Sequence, residues 1–223
     1  MAILMSNDQS YIKRPIGYVD PRLRRPPGAW LLVGLLLQLL VRPAPLHAGN
    51  EMPVPVDIQV PLLMKILSAD RALPGRAGRS LVIGVVFQDN NRESSATMSE
   101  FTRLAADAQV SGSTAMPVTI EPVRLEKLDA LASELAKRKV RVCYITPLRS
   151  VDVGAIIAAA DSSGSLTCTG VPEYMKSGVA VGIGSRGDRP EIIINIDSAR
   201  EAGADFSSQL LKLARVVSKG GDE

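Results

Sequence analysis

From Ser80 onward, short β-branched runs alternate with amphipathic stretches, and that alternation leaves little choice beyond a parallel sheet covered by helices. Ser80–Phe87 (SLVIGVVF) is apolar at both parities, as a strand buried on both faces must be. Thr97 with Glu100 three residues later forms a capping box, predicting the start of a helix that carries Phe101, Leu104, Ala105 and Ala108. Pro117–Ile120 reads as the next strand. Leu125, Leu128, Leu131, Leu135 and Ala136 mark one face of a helix ending in Lys137, Arg138 and Lys139, a solvated basic end that suits the negative pole of the helix dipole. Val140–Ile145, Val151–Ala160 and Leu166–Thr169 continue the series as strand, helix and strand.

Ahead of this core, Met52–Val56 is a proline-rich extended strip. A helix follows from a cap at Asp57, with Ile58, Leu62, Leu63, Ile66 and Leu67 at helical spacing, and it stops at Leu73-Pro74-Gly75. In the last third, Gly178–Gly184 and Glu191–Ile196 are strand-like runs separated by Ser-Arg-Gly-Asp-Arg-Pro, too short for a crossover helix and therefore a hairpin. Ser198 and Glu201 cap a short helix that Gly203 ends, and Phe206, Leu210, Leu213, Ala214 and Val217 mark a final one. The expected fold is α/β: a three-layer domain with a mostly parallel mixed sheet, ending in an antiparallel hairpin and a C-terminal helix.

Charge is informative only through its location. The formal net charge is +3, but residues 1–48 hold six basic and two acidic side chains, leaving twenty basic against twenty-one acidic in the rest. A near-neutral body offers no case for a nucleic-acid partner. The basic stretch Arg22–Arg25, an uncharged run of thirteen residues (Ala29–Val41) and the small residues near Ala48 form a secretory signal peptide. A membrane anchor needs about 20 apolar residues, and Arg42 and Pro43 close this run early. Cleavage is expected after Ala48, with Ala44 as the alternative, so the mature protein is exported. The absence of cysteine near either site argues against a lipoprotein. The expected organisation is a leader (1–48), an extended lead-in (49–56), an α/β domain (57–218) and a flexible tail (219–223).

The only histidine, His47, and the only tryptophan, Trp30, lie in that leader. Once it is removed, Ser-His-Asp and Cys-His catalysis, histidine-containing zinc sites and a histidine pH switch are excluded. No cofactor or metal is expected. Gly182-Ile-Gly-Ser-Arg-Gly187 matches the dinucleotide pattern G-x-G-x-x-G, but Pro190 and a strand follow it where that pattern needs a helix. Arg186-Gly187-Asp188 is read as turn residues, not an adhesion motif. Cys143 and Cys168, the only cysteines, fall in two strands joined by one helix. An oxidising compartment makes a disulfide possible, and two buried thiols are the other reading. Asp89, Glu93, Asp152, Asp161 and Glu173 are scattered carboxylates that default to solvated surface. Asn90–Ser95 lies just past the first strand, where open α/β sheets bind ligands, and is the one loop singled out for function.

The C-terminal stretch Glu191–Val217 resembles the closing segment of the YfiR family: a strand ending in Asn195, then Ala199, the Ala202-Gly203 break, Ser207-Ser208, Leu210-Leu211 and Leu213-Ala214. The first helix, a cysteine-bearing strand around Cys143 and the Gly-rich segment before the hairpin fall in that family's order, so the likeness spans nearly all of residues 56–217. One departure stands out: many members end the first helix in an aromatic-rich stretch closing with Trp-Pro, whereas this chain reads Ile66–Pro74 without an aromatic. The resemblance implies an exported, dimeric, non-enzymatic regulator. Such a protein restrains an inner-membrane diguanylate cyclase of the YfiN type and is relieved by an outer-membrane lipoprotein of the YfiB type. The alternative is a periplasmic small-molecule-binding accessory domain feeding a sensor kinase or outer-membrane transporter.

Overall fold

Leu81–Phe87 forms β1, the strand around which the sheet grows, and six of its seven residues are buried. The computed structural model describes residues 51–111 and 115–218; the expected leader, residues 49 and 50 of the lead-in, and the tail at 219–223 lie outside the described residues. In chain order the elements are α1 (Val56–Ser68), α2 (Leu73–Ala77), β1, α3 (Arg92–Leu104), β2 (Gln109–Val110), β3 (Met116–Arg124), α4 (Leu128–Lys137) and β4 (Val142–Ile145). There follow α5 (Val153–Ser162), β5 (Leu166–Thr169), a 3-10 turn (Pro172–Ser177), β6 (Val181–Arg186), β7 (Arg189–Asn195), α6 (Ile196–Glu201), α7 (Ser208–Leu213) and β8 (Arg215–Val217).

The eight strands form one mixed sheet in the order β2-β3-β1-β4-β5-β6-β7-β8. β3, β1, β4, β5 and β6 run parallel, while β7 folds back on β6 as the expected hairpin. Its two-residue turn is Gly187-Asp188, with Gly187 at φ 60°, the left-handed first position that II′ turns reserve for glycine. Helices cover both faces. Leu63, Ile66 and Leu67 of α1 pack with Phe101 of α3 and Leu210 of α7 on one side. Leu131 and Leu135 of α4 and Ile156 of α5 pack on the other, so the three-layer expectation holds.

The helix starts differ from expectation, each for a local reason. α1 begins at Val56, before Asp57, because the carbonyl of Pro55 accepts from the amides of Ile58 and Gln59. Pro61 lies inside α1, on the side where Asp57, Ile58 and Pro61 itself are exposed, so water can satisfy the carbonyl that proline cannot. Pro74 opens the one-turn α2 instead of ending the first helix, as proline in a first turn can. The cap of α3 is Asn91, whose Oδ1 accepts from Glu93 N at 3.2 Å; Thr97, expected as the cap, is buried inside the helix. Likewise Asn195, not Ser198, caps α6 by accepting from Ser198 N, and Ser207 caps α7. Asn195, Ala202-Gly203 and Ser207 are thus two caps and a break, with Gly203 at φ 75°.

The chain's end also departs from the single long helix expected. α7 stops at Leu213, and Arg215–Val217 add β8 parallel to β7. Val216 and Val217 are β-branched and complete a sheet edge better than they extend a helix. Leu213 is consequently 74% exposed, not part of the core.

Candidate functional site

In the parallel part of the sheet the chain leaves β1 for β3 on one side and then crosses to β4 on the other. That reversal is the switch point at which open α/β sheets hold ligands, beyond the carboxyl ends of the two strands. Asn90–Ser95 sits there, as its place after β1 predicts, but it is not the loop expected: from Arg92 on it is the first turns of α3. Asn91 and Ser94 turn inward and bond to the segment after β4, while Asn90, Arg92 and Glu93 are exposed. Thr146 Oγ1 donates to the carbonyl of Val86 at 2.9 Å, so the 2.6 Å contact between Ser94 Oγ and Thr146 Oγ1 must have serine as donor. Ser94 Oγ accepts from Gln88 N, and Asn91 Nδ2 donates to the carbonyl of Pro147 at 3.0 Å. The Gln88 amide clasps the backbone of Arg149 twice, donating to its carbonyl and accepting from its N–H. Tyr174 Oη closes the row by accepting from Leu148 N at 2.8 Å. Asn91, Ser94 and Thr146 are buried and bonded, so the crevice is spanned by the protein's own hydrogen bonds.

Two residues back along β4, on the same face, a second buried polar node forms. Tyr144 Oη donates to Gln59 Oε1 at 2.6 Å, and Gln59 Nε2 donates to the carbonyl of Val54 at 2.6 Å. This ties the lead-in and α1 to the centre of the sheet. Burial pushes the Tyr144 hydroxyl up from its ordinary range, as it does that of the less buried Tyr174, so both act as neutral hydrogen-bonding groups.

The cysteines resolve by register. Cys143 pairs with Thr167 and Tyr144 with Cys168, so the two cysteines are offset by one residue on adjacent strands. An offset of one sends side chains to opposite faces. Cys143 packs with Leu135 and Ile156, Cys168 with the α1 side, and both are free and buried; the disulfide left open by the sequence is not formed. Burial pushes the Cys143 thiol up from 9.0 to about 12, with the Asp161 carboxylate adding to the effect, and raises Cys168 in the same direction. Two results are expected. Thiol reagent at pH 8 labels neither residue in the native protein and both after denaturation. Stability also falls as pH rises from 9 toward 12, because the unfolded thiols release protons there and the folded ones hold them.

The remaining candidates disperse. Gly182 and Gly184 serve packing, not a dinucleotide: a Cβ on Gly182 would stand 2.6 Å from Met175 Sδ, beneath the Pro172–Ser177 turn. Arg186, Gly187 and Asp188 form the exposed hairpin tip, where Arg186 pairs with Glu191. Asp89 pairs with Arg124, Asp152 caps α5 through Gly154 N, and Glu93, Asp161 and Glu173 are exposed. Among the described residues no group of three or more histidine, cysteine or carboxylate side chains could hold a metal ion.

What remains for contact is the outer surface. All five aromatics of the described residues, Phe87, Phe101, Tyr144, Tyr174 and Phe206, are at most 6% exposed. Among the described residues the exposed large apolar side chains are Ile58, Leu213 and Val216. A partner docking on the described residues therefore meets aliphatic anchors, since their Tyr and Phe side chains, of the kind that commonly dominates interfaces, are buried.

Fold and site together define a three-layer α/β domain whose switch-point crevice is spanned by its own hydrogen bonds. The YfiR/HmsC-like family matches over residues 73–215, more than half of the chain, and the protein belongs to that family of periplasmic regulators. Two solved structures share the fold. One is a conserved domain protein from Vibrio cholerae O1 biovar El Tor, at TM-score 0.55 and 17% identity, covering 74% of this chain and 60% of that one. The other is the ABC domain from Streptococcus pneumoniae in complex with L-Trp, at TM-score 0.54 and 16% identity, covering 73% of this chain and 62% of that one. The chain thus spans about three fifths of the length of each, and the likeness is one of fold alone. No curated protein matches the chain significantly. Among the described residues no helix is long and apolar enough to cross a membrane.

Proposed function

We propose that the protein is exported through its leader, is cleaved after Ala48, and acts as a dimer that restrains an inner-membrane diguanylate cyclase by direct contact. The family match over residues 73–215 carries this reading. The hydrogen bonds spanning the switch-point crevice fit it, because a regulator working through its surface needs no open site there. Release falls to an outer-membrane lipoprotein, as the resemblance to YfiR implies. The contacting surface differs from that of relatives with an aromatic-rich first helix, since Ile66–Pro74 supplies none.

Deleting the gene is expected to raise intracellular cyclic di-GMP and biofilm. Deleting the partner cyclase as well abolishes the rise, because a repressor without its target has no phenotype. Coupling free energies of this kind are about 1 to 3 kcal/mol, or roughly 5- to 150-fold. Unchanged cyclic di-GMP together with a transport or kinase phenotype would replace this reading with that of a small-molecule-binding accessory domain.

A further inference from the structure

Between the end of α1, α2 and the β2–β3 hairpin runs a groove of about 370 Å³, within the size range that encloses small organic ligands. Its floor is apolar: Leu67, Leu73, Val110 and Met116 line it, each at most 8% exposed. Two charged groups on its lining differ sharply in availability. The Asp70 carboxylate is fully engaged, with Oδ1 accepting from Ala72 N at 3.0 Å and Asp205 N at 2.9 Å, and Oδ2 accepting from Arg76. Arg79 is exposed and, among the described residues, is in no ion pair or side-chain hydrogen bond. The groove therefore presents an apolar bed with one available charge, and that charge is positive.

We propose that this groove binds a small amphipathic anion, an aliphatic or aryl-alkanoic monocarboxylate whose apolar body lies on Leu67, Leu73, Val110 and Met116 and whose carboxylate pairs with Arg79. An ammonium group finds no free carboxylate here, because Asp70 is spent on its own donors, so a simple acid is preferred over an amine of the same shape. A neutral amide keeps the apolar contact and forgoes the charge-assisted hydrogen bonds to the guanidinium. The bound acid lies against the Asp70 junction, which joins the end of α1 to the segment before α7. The site is independent of the cyclase reading, and either can fail without the other.

Calorimetric titration of the purified full chain with octanoate, octanamide and octylamine tests the assignment, with two-dimensional NMR of the Leu73 and Met116 methyl groups as the locating readout. Octanoate is expected to bind saturably and to shift those methyl signals, with the amide and the amine weaker by about tenfold or more. Arg79→Gln, at an exposed position, keeps the melting temperature and brings octanoate down to the affinity of octanamide; Arg79→Lys recovers part of the loss. Octanamide binding as tightly as octanoate, octanoate indifferent to Arg79→Gln, shifts confined to other methyl groups, or no saturable binding of octanoate would each overturn the proposal.

Discussion

Replacing Gly170 by alanine is expected to destabilise the protein by about 3 kcal/mol, seen as a lower urea midpoint with unchanged slope. Gly170 directly follows β5, and a Cβ there would lie 2.2 Å from Gln59 Oε1 and 2.4 Å from Nε2. A glutamine on the surface would swing aside. Gln59 is fully buried and holds both the Tyr144 hydroxyl and the Val54 carbonyl. Moving it takes the Gln59 donor from the Val54 carbonyl and leaves the Tyr144 hydroxyl only the weak acceptor Met52 Sδ at 3.8 Å, and a buried polar group left unsatisfied costs about 1 to 3 kcal/mol. The clash and the lost bonds share one side chain, so the cost is non-additive. Gly170→Ala combined with Gln59→Ala should destabilise less than the two single variants summed; strict additivity would show that the contact is not the cause.

The second large effect is at Asp70. Asp70→Ala is expected to cost about 3 to 5 kcal/mol, because it strands a mostly buried cation. The Asp70 side chain is fully buried, and the Arg76 side chain is 17% exposed. Arg76 Nε and Nη1 are buried without a hydrogen-bond partner, so removing the carboxylate takes away the described contact that offsets the guanidinium's desolvation. The loss also reaches the far end of the chain. Asp70 accepts from Asp205 N, Arg71 N donates to the carbonyl of Asp205, and Ser207 N donates to that of Ala69. Hydrogen exchange should therefore accelerate first in Asp205–Leu211, ahead of β1 and β4. Asp70→Ala with Arg76→Met should recover much of the stability, since the stranded charge is then gone. Uniform acceleration across the sheet would argue against a local junction.

Much of the architecture was legible because local sequence and tertiary burial agree. Ser80–Phe87 is apolar at both parities, which only a two-sided strand tolerates, and β1 is buried accordingly. The hairpin was legible from loop length alone. Caps were read less well: Thr97 and Glu100 have the spacing of a capping box, but Asn91 caps α3 one and a half turns earlier, and both patterns satisfy local rules. Nothing local separates β8 from the last turn of α7, because Val216 and Val217 become a strand only when the edge of β7 lies beside them.

The sequence by itself determined the order of strands and helices from β1 to β7, the short β2 apart, the two buried faces of the sheet and the family likeness of Glu191–Val217, since each depends on periodicity or on residues near one another in the chain. Only the tertiary structure decided the rest. The register of β4 on β5 sends Cys143 and Cys168 to opposite faces. The approach of the start of α3 to the segment after β4 lets Ser94 and Thr146, 52 residues apart, bond across the switch-point crevice. The return of the C-terminal segment seats Asp205 on Asp70 across 135 residues. These are matters of which side chain meets which across the fold, and a hydrogen bond or an offset of one residue leaves no periodic trace in the chain that makes it.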